Sequence, residues 1–306
     1  MKKMICLALI FALALTGCGS KNAPETQPPT QSIPGTEAPE TVPATEAPTE
    51  AAAYESGETV LVDNEFVTFT VTGFRENAHL GLEMQVFCEN KTDRTVMFSL
   101  DGVSVCGVMH DPFWAEEVAP GKKANSTVSF DTFTLAEQGI ESVDEISFRL
   151  SATDSDSWLD EPFADDHFTV YPTGLNADTV VFPEYRHKNG ETVVLDNENL
   201  LFIVEKVDDT DTGFYTLNCY LANRTDKDLM VSWDGVSVNG FMVDPFWAAA
   251  VSAGKQTYTS IRFASADLAE QGIDTVTELA FTLTAYDYNS FDMDYVVEEN
   301  LTFLPK

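Results

Sequence analysis

Ile146-Ser147-Phe148-Arg149-Leu150-Ser151-Ala152 alternates apolar and polar residues without a break. A period of two puts Ile146, Phe148, Leu150 and Ala152 on one face of an extended chain, so the segment reads as a β-strand with one buried face. Leu279, Phe281, Leu283 and Ala285 repeat the pattern 133 residues later. Working outward, Met84, Val86 and Cys88 answer to Leu217, Cys219 and Leu221, and Val128 and Phe130 answer to Ile261 and Phe263. Asn90-Lys91-Thr92-Asp93, Asp101-Gly102 and Pro120-Gly121-Lys122 read as turns between such runs. Short alternating strands at this spacing predict an all-β chain folded as antiparallel sandwiches.

The offset of 133 holds well beyond the strands. Thr59-Val60-Leu61-Val62-Asp63-Asn64-Glu65 returns as Thr192-Val193-Val194-Leu195-Asp196-Asn197-Glu198, and Asp111-Pro112-Phe113-Trp114-Ala115 returns as Asp244-Pro245-Phe246-Trp247-Ala248. Leu135-Ala136-Glu137-Gln138-Gly139-Ile140 returns as Leu268-Ala269-Glu270-Gln271-Gly272-Ile273. The chain is a tandem duplication, and a unit of about 115 residues is large enough to bury its own core. The boundaries read as 1–17 for a signal segment, 18–56 for a tether, 57–172 and 190–306 for the two sandwich domains, and 173–189 for the linker between them. Each copy carries one short helical turn, with Thr132 or Ser265 expected to cap its start and Gly139 or Gly272 to end it in the left-handed conformation. The linker run Val180-Val181-Phe182-Pro183-Glu184-Tyr185 is apolar enough to be expected to dock on a domain.

Lys2 and Lys3 precede an apolar stretch from Ile5 to Leu15 that is too short to span a bilayer, as in a secretion signal. It ends in Leu15-Thr16-Gly17-Cys18, which resembles the lipobox of bacterial lipoproteins. The resemblance implies that Cys18 carries the lipid and that the chain is held on the outer face of the cell membrane by that anchor. Residues 19–57 are dominated by Pro, Thr, Glu and Ala, and such a segment has too little apolar surface to repay the entropy of ordering. At about 3.1 Å per residue it is a disordered tether with a reach on the order of 100 Å. Together with the strand order and the Val118-x-Pro120-Gly121-Lys122 turn, these features resemble the surface lipoproteins of Gram-positive bacteria that carry immunoglobulin-like sandwich domains. The resemblance implies fold and location, and brings no catalytic residue with it.

Fifty Asp and Glu against seventeen Lys and Arg give a formal charge of -33. So negative a surface repels nucleic-acid phosphates, anionic lipids and anionic wall polymers, and no nucleic-acid partner is expected. Catalytic signals are missing from the sequence: there is no Gly-x-Ser-x-Gly elbow, no Gly-rich phosphate loop, no Cys-x-x-Cys and no histidine pair at zinc spacing. None of His79, His110, His167 and His187 has a histidine at the repeat offset. No enzyme and no cofactor are expected. Cys88 and Cys219 fall on the buried phase of their strands, while Cys106 matches Asn239 and is expected near the surface; a Cys88–Cys106 bridge is the alternative.

Two groups of residues are candidates for a site. Asp154, Asp156 and Asp160, with Glu161, Asp165 and Asp166 behind them, gather carboxylates as a calcium loop does, but the spacing lacks the glycine turn and closing glutamate of an EF-hand and is not repeated in the second copy. Charge screening by cations without a specific site is the expectation there. The repeated Asp-Pro-Phe-Trp offers Phe113, Trp114, Phe246 and Trp247, which either plug the open end of each sandwich or stack on a sugar or protein ligand. A duplicated domain without catalytic groups predicts a non-enzymatic binding, adhesion or envelope-accessory protein with a protein or glycan ligand. A structural spacer of the surface and a hydrolase with an unrecognised carboxylate pair are the alternatives.

Overall fold

A computed structural model describes Tyr54 and residues 57–157, 160–210, 213–290 and 294–305. The signal segment, Cys18, the rest of the tether, Trp158, Asp211 and Asp292 lie outside the described residues. The first repeat runs β1 (Thr59–Asp63), β2 (Val67–Asn77), β3 (Gly81–Asn90), β4 (Val96–Val105), β5 (Val108–Met109), β6 (Ala115–Val118), β7 (Lys123–Phe130), α1 (Thr132–Glu137), β8 (Ile146–Asp154) and β9 (Ala164–Val170). The second runs β10 (Thr192–Asp196), β11 (Leu200–Asp208), β12 (Phe214–Asn223), β13 (Leu229–Val238), β14 (Phe241–Met242), β15 (Ala248–Val251), β16 (Gln256–Ala264), α2 (Ser265–Glu270), β17 (Leu279–Asp287) and β18 (Tyr295–Phe303).

In each repeat the alternating strands make two antiparallel sheets. The first is ordered β1-β2-β3-β7 and faces a second built on β4, β8 and β9, with β5 and β6 also pairing with β4. The second repeat pairs β10-β11-β12-β16 and β13-β17-β18 in the same way. Consecutive strands β3 and β4 go to opposite sheets, and β7 and β8 return to pair with them, which is the immunoglobulin-like Greek key. Apolar faces meet between the sheets: Phe69 of β2 lies 6.3 Å from Phe98 of β4, and Phe202 of β11 lies 5.9 Å from Trp233 of β13. Ile146, Phe148, Leu150 and Ala152 are buried on the inner face while Arg149 between them is exposed.

The structure departs from the expectations at the Asp101-Gly102 turn and at both helix starts. Asp101-Gly102 is no turn but a bulge inside β4, where the register slips between Asp101 and Ser104 and Gly102 takes a φ of +56°. Asp234-Gly235 does the same in β13. The cap of α1 is Asp131, one residue before the expected Thr132, and its side chain accepts from the Phe133 and Thr134 amides. Its counterpart is Ala264, so α2 starts without a side-chain cap and Ser265 is already inside the helix. Both helices end as expected: Gly139 and Gly272 are left-handed, and the Ile140 and Ile273 amides reach back 2.9 Å to the Leu135 and Leu268 carbonyls in Schellman motifs.

The two sandwiches are joined edge to edge. The β4–β5 hairpin turns at Cys106-Gly107, and the Gln256 amide of β16 donates to the Gly107 carbonyl at 3.0 Å, with Val108 and Gln256 in parallel register. Next to this bond Lys255 stands 3.6 Å from the buried Glu145 carboxylate. The linker lies against the joint: Tyr185 stacks on Tyr220 at 4.1 Å, the Gln256 amide side chain donates to the Pro183 carbonyl at 3.2 Å, and Lys255 sits over the Phe182 ring at 5.2 Å.

Candidate functional site

Asp-Pro-Phe-Trp adopts one geometry twice. The Asp111 carboxylate accepts from the Phe113 amide at 2.8 Å, and Asp244 accepts from Phe246 at the same distance, each closing a side-chain turn around a proline. Proline fixes its own φ near -65°, and the residue that follows each of these turns takes the left-handed region. Phe113 has a φ of +48° and Phe246 of +49°. Glycine or asparagine ordinarily fills such a position, because a side chain there costs roughly 1–2 kcal/mol. The phenylalanine rings recover nothing by burial, being 93% and 91% exposed.

The tryptophan that follows points the other way. Trp114 packs edge-on against Phe69 at 6.1 Å and its indole N–H donates to Ser126 Oγ at 3.1 Å. Trp247 lies 6.3 Å from Phe202 and donates to Thr259 Oγ1 at 3.1 Å. The two readings of the motif thus divide within it: Trp114 and Trp247 close the sandwiches, and Phe113 and Phe246 are held out in solvent. The Phe113 corner borders a cleft of about 590 Å³ whose far wall is Ala248, Ala249 and Tyr258 of the second repeat. At its back His110 stacks on Phe130, and burial pushes the imidazole below its ordinary value against the pull of the Asp131 and Asp111 carboxylates.

The acidic loop is organised differently. Asp154 is buried, binds Arg94 at 2.9 Å and accepts from the Asp156 amide at 3.0 Å, so both its oxygens are engaged. Asp160 stands 3.9 Å from the same guanidinium. Asp165 pairs with Arg149 on the neighbouring strand, which holds its carboxyl below the usual aspartate range. Among the described residues no three His, Cys, Asp or Glu side chains gather where one metal ion could be held.

Cys88, Cys106 and Cys219 are free thiols and all are buried. Cys106 departs from the expected surface position because its turn is folded under the β8 approach, where its amide donates to the Glu145 carbonyl and its thiol to the Ser142 carbonyl. Burial pushes the Cys88 thiol up to about 12, the range of an inert core residue.

The edge-to-edge joint was missed from sequence, although one signal for it was there: Lys122 and Glu145 recur at the 133 offset as Lys255 and Glu278. No protein-family model and no curated protein matches the chain. Among solved structures it is similar to the Salmonella enterica SafA pilin in complex with the SafB chaperone, at 10% identity over 79% of this chain and 98% of that one, with a TM-score of 0.23. A TM-score so low transfers neither fold detail nor function, and the immunoglobulin-like description rests on the strand pairing itself.

Proposed function

We propose that the chain is a lipid-anchored, extracytoplasmic, non-enzymatic recognition protein that presents two aromatic rings, Phe113 and Phe246, to a ligand of the envelope or of a host surface. The observation that carries this is the duplicated corner: a bulky side chain held in a strained backbone conformation with its ring almost wholly in water. Strain of roughly 1–3 kcal/mol persists where the surroundings over-determine it, and such positions cluster at binding and switching sites. A ring on a protruding turn can stack on a sugar face or fill an apolar pocket, and two rings on one chain raise the effective concentration of the second contact. The charge of -33 favours a neutral or basic ligand over an anionic polymer.

The test is capture from intact envelope and from a neutral-glycan array by residues 18–306 produced without lipid, read beside the Phe113→Ser, Phe246→Ser and double variants. Loss of retention in the double variant, with each single variant weakened by at least about tenfold as avidity is removed, supports the reading. Undiminished retention in the double variant would place recognition elsewhere. No retention of the unaltered chain would favour a surface spacer.

A further inference from the structure

The joint between the sandwiches uses two surfaces, and the duplication supplies each of them twice. One surface is the tip of a hairpin: Cys106-Gly107 and Val108 in the first repeat, Asn239-Gly240 and Phe241 in the second. Both turns place two consecutive residues at positive φ, +46° and +82° in one and +51° and +83° in the other, so they have the same shape. The other surface is a sheet edge: β16 in the second repeat and β7 in the first. Within the chain the first hairpin is seated on the second edge. The second hairpin and the first edge have no such neighbour among the described residues, because the order of the repeats leaves one of each at opposite ends.

The residues left over suit each other. Val108 is fully buried in the joint, whereas Phe241 is 48% and Met242 69% exposed. Glu145 is buried beside Lys255, and its counterpart Glu278 is exposed, as is Lys122, the counterpart of Lys255. In domain 2 the Asn239 side chain braces the free hairpin, accepting from the Thr277 and Glu278 amides, so the surface is formed without a partner. β7 is an edge strand beginning at Lys123, the residue that corresponds to Gln256. Lys123 is paired with Glu89 at 3.2 Å, and beyond it the backbone groups of a terminal strand remain a template for pairing, with an apolar pair at a hairpin tip beside a matched acid and base to specify where.

We propose that the β14 hairpin of one chain docks on the β7 edge of a second copy, with Phe241 beside Lys123 and Glu278 facing Lys122, repeating between chains the joint that lies within each chain. The contact is head-to-tail, so it does not close on two copies and extends into short rows. It is weaker than the internal joint, since Asn125 takes the place of Tyr258, which packs on the first core there. The proposal is independent of what the Phe113 and Phe246 rings bind.

Sedimentation velocity of residues 18–306 at physiological salt, over rising concentration, tests it. Species heavier than the monomer should grow with concentration in the unaltered chain and vanish in Met242→Asp, a change at an exposed side chain that leaves the fold intact by circular dichroism. E278K and K122E should each be monomeric alone, and an equimolar mixture of the two should associate again because the exchanged charges face each other. A monomer throughout, association unchanged in Met242→Asp, or a mixture that stays monomeric would each overturn the pairing.

Discussion

The two repeats share strand order, bulge, Schellman turn and Asp-Pro-Phe-Trp corner, yet their hairpin tips live in opposite surroundings. Gly107 is pressed against the linker, where an added Cβ would stand 3.0 Å from the Phe182 ring; Gly240 meets nothing within 4 Å. Glu145 is buried and Glu278 exposed. Burial at this position is therefore set by what lies next along the chain and not by the hairpin's own sequence. The corner behaves in the contrary way, keeping the same strained φ and the same exposure in both repeats.

The contrast is broken most strongly at the acid and base of the joint. Glu145 is buried and Lys255 only partly so, and removing the cation leaves the buried carboxylate uncompensated, so Lys255→Met should cost about 1–3 kcal/mol in urea unfolding. Lys122→Met, at the corresponding exposed position, should leave stability unchanged. Equal costs would mean that the Lys255–Glu145 pair contributes nothing. A finer comparison uses the turn glycines. Gly107→Ala and Gly240→Ala both force a side chain into the left-handed region at roughly 1–2 kcal/mol, and Gly107→Ala should cost more by about 1 kcal/mol because Phe182 must also move. Linker cleavage by protease should rise in Gly107→Ala alone.

The smallest effects lie at the helix starts. Asp131→Ala should destabilise the first sandwich by about 1 kcal/mol, and Ala264→Asp should stabilise the second by a similar or smaller amount. Hydrogen bonds from Thr134 first, then from the Thr134 and Phe133 amides, hold the Asp131 carboxyl below its ordinary value. Its folded-state pKa is depressed, so the cap contributes above the unfolded value and its contribution is lost as pH falls through the folded one. The difference between Asp131→Ala and the parent should accordingly shrink at strongly acidic pH, and a pH-independent difference would contradict the cap.

Much of the sandwich was legible because alternation reports burial directly: Phe148 and Phe281 face inward as their spacing requires. Features that depend on partners far along the chain were not. Asp154 looks like a calcium ligand until Arg94, sixty residues earlier, is found on it. Cys106 lies in a turn, where no period applies, and its burial comes from the connection to β8. The cap falls one residue before the expected Thr132 because Asp131 and Thr132 are both good capping types. The opposite fates of Phe113 and Trp114 have no sign in the sequence, since no property of a phenylalanine announces a positive φ.

The proposed recognition role requires that the Phe113 and Phe246 side chains sit under backbone strain and contribute nothing to the fold. Thermal unfolding of the Phe→Ala and Phe→Gly variants at each position measures this without any ligand. Alanine keeps the left-handed strain and glycine relieves it, so each glycine variant should be more stable than its alanine counterpart by about 1 kcal/mol and no less stable than the parent. Glycine variants less stable than both the parent and the alanine variants, in either repeat, would show that the ring stabilises its own sandwich and would contradict the claim.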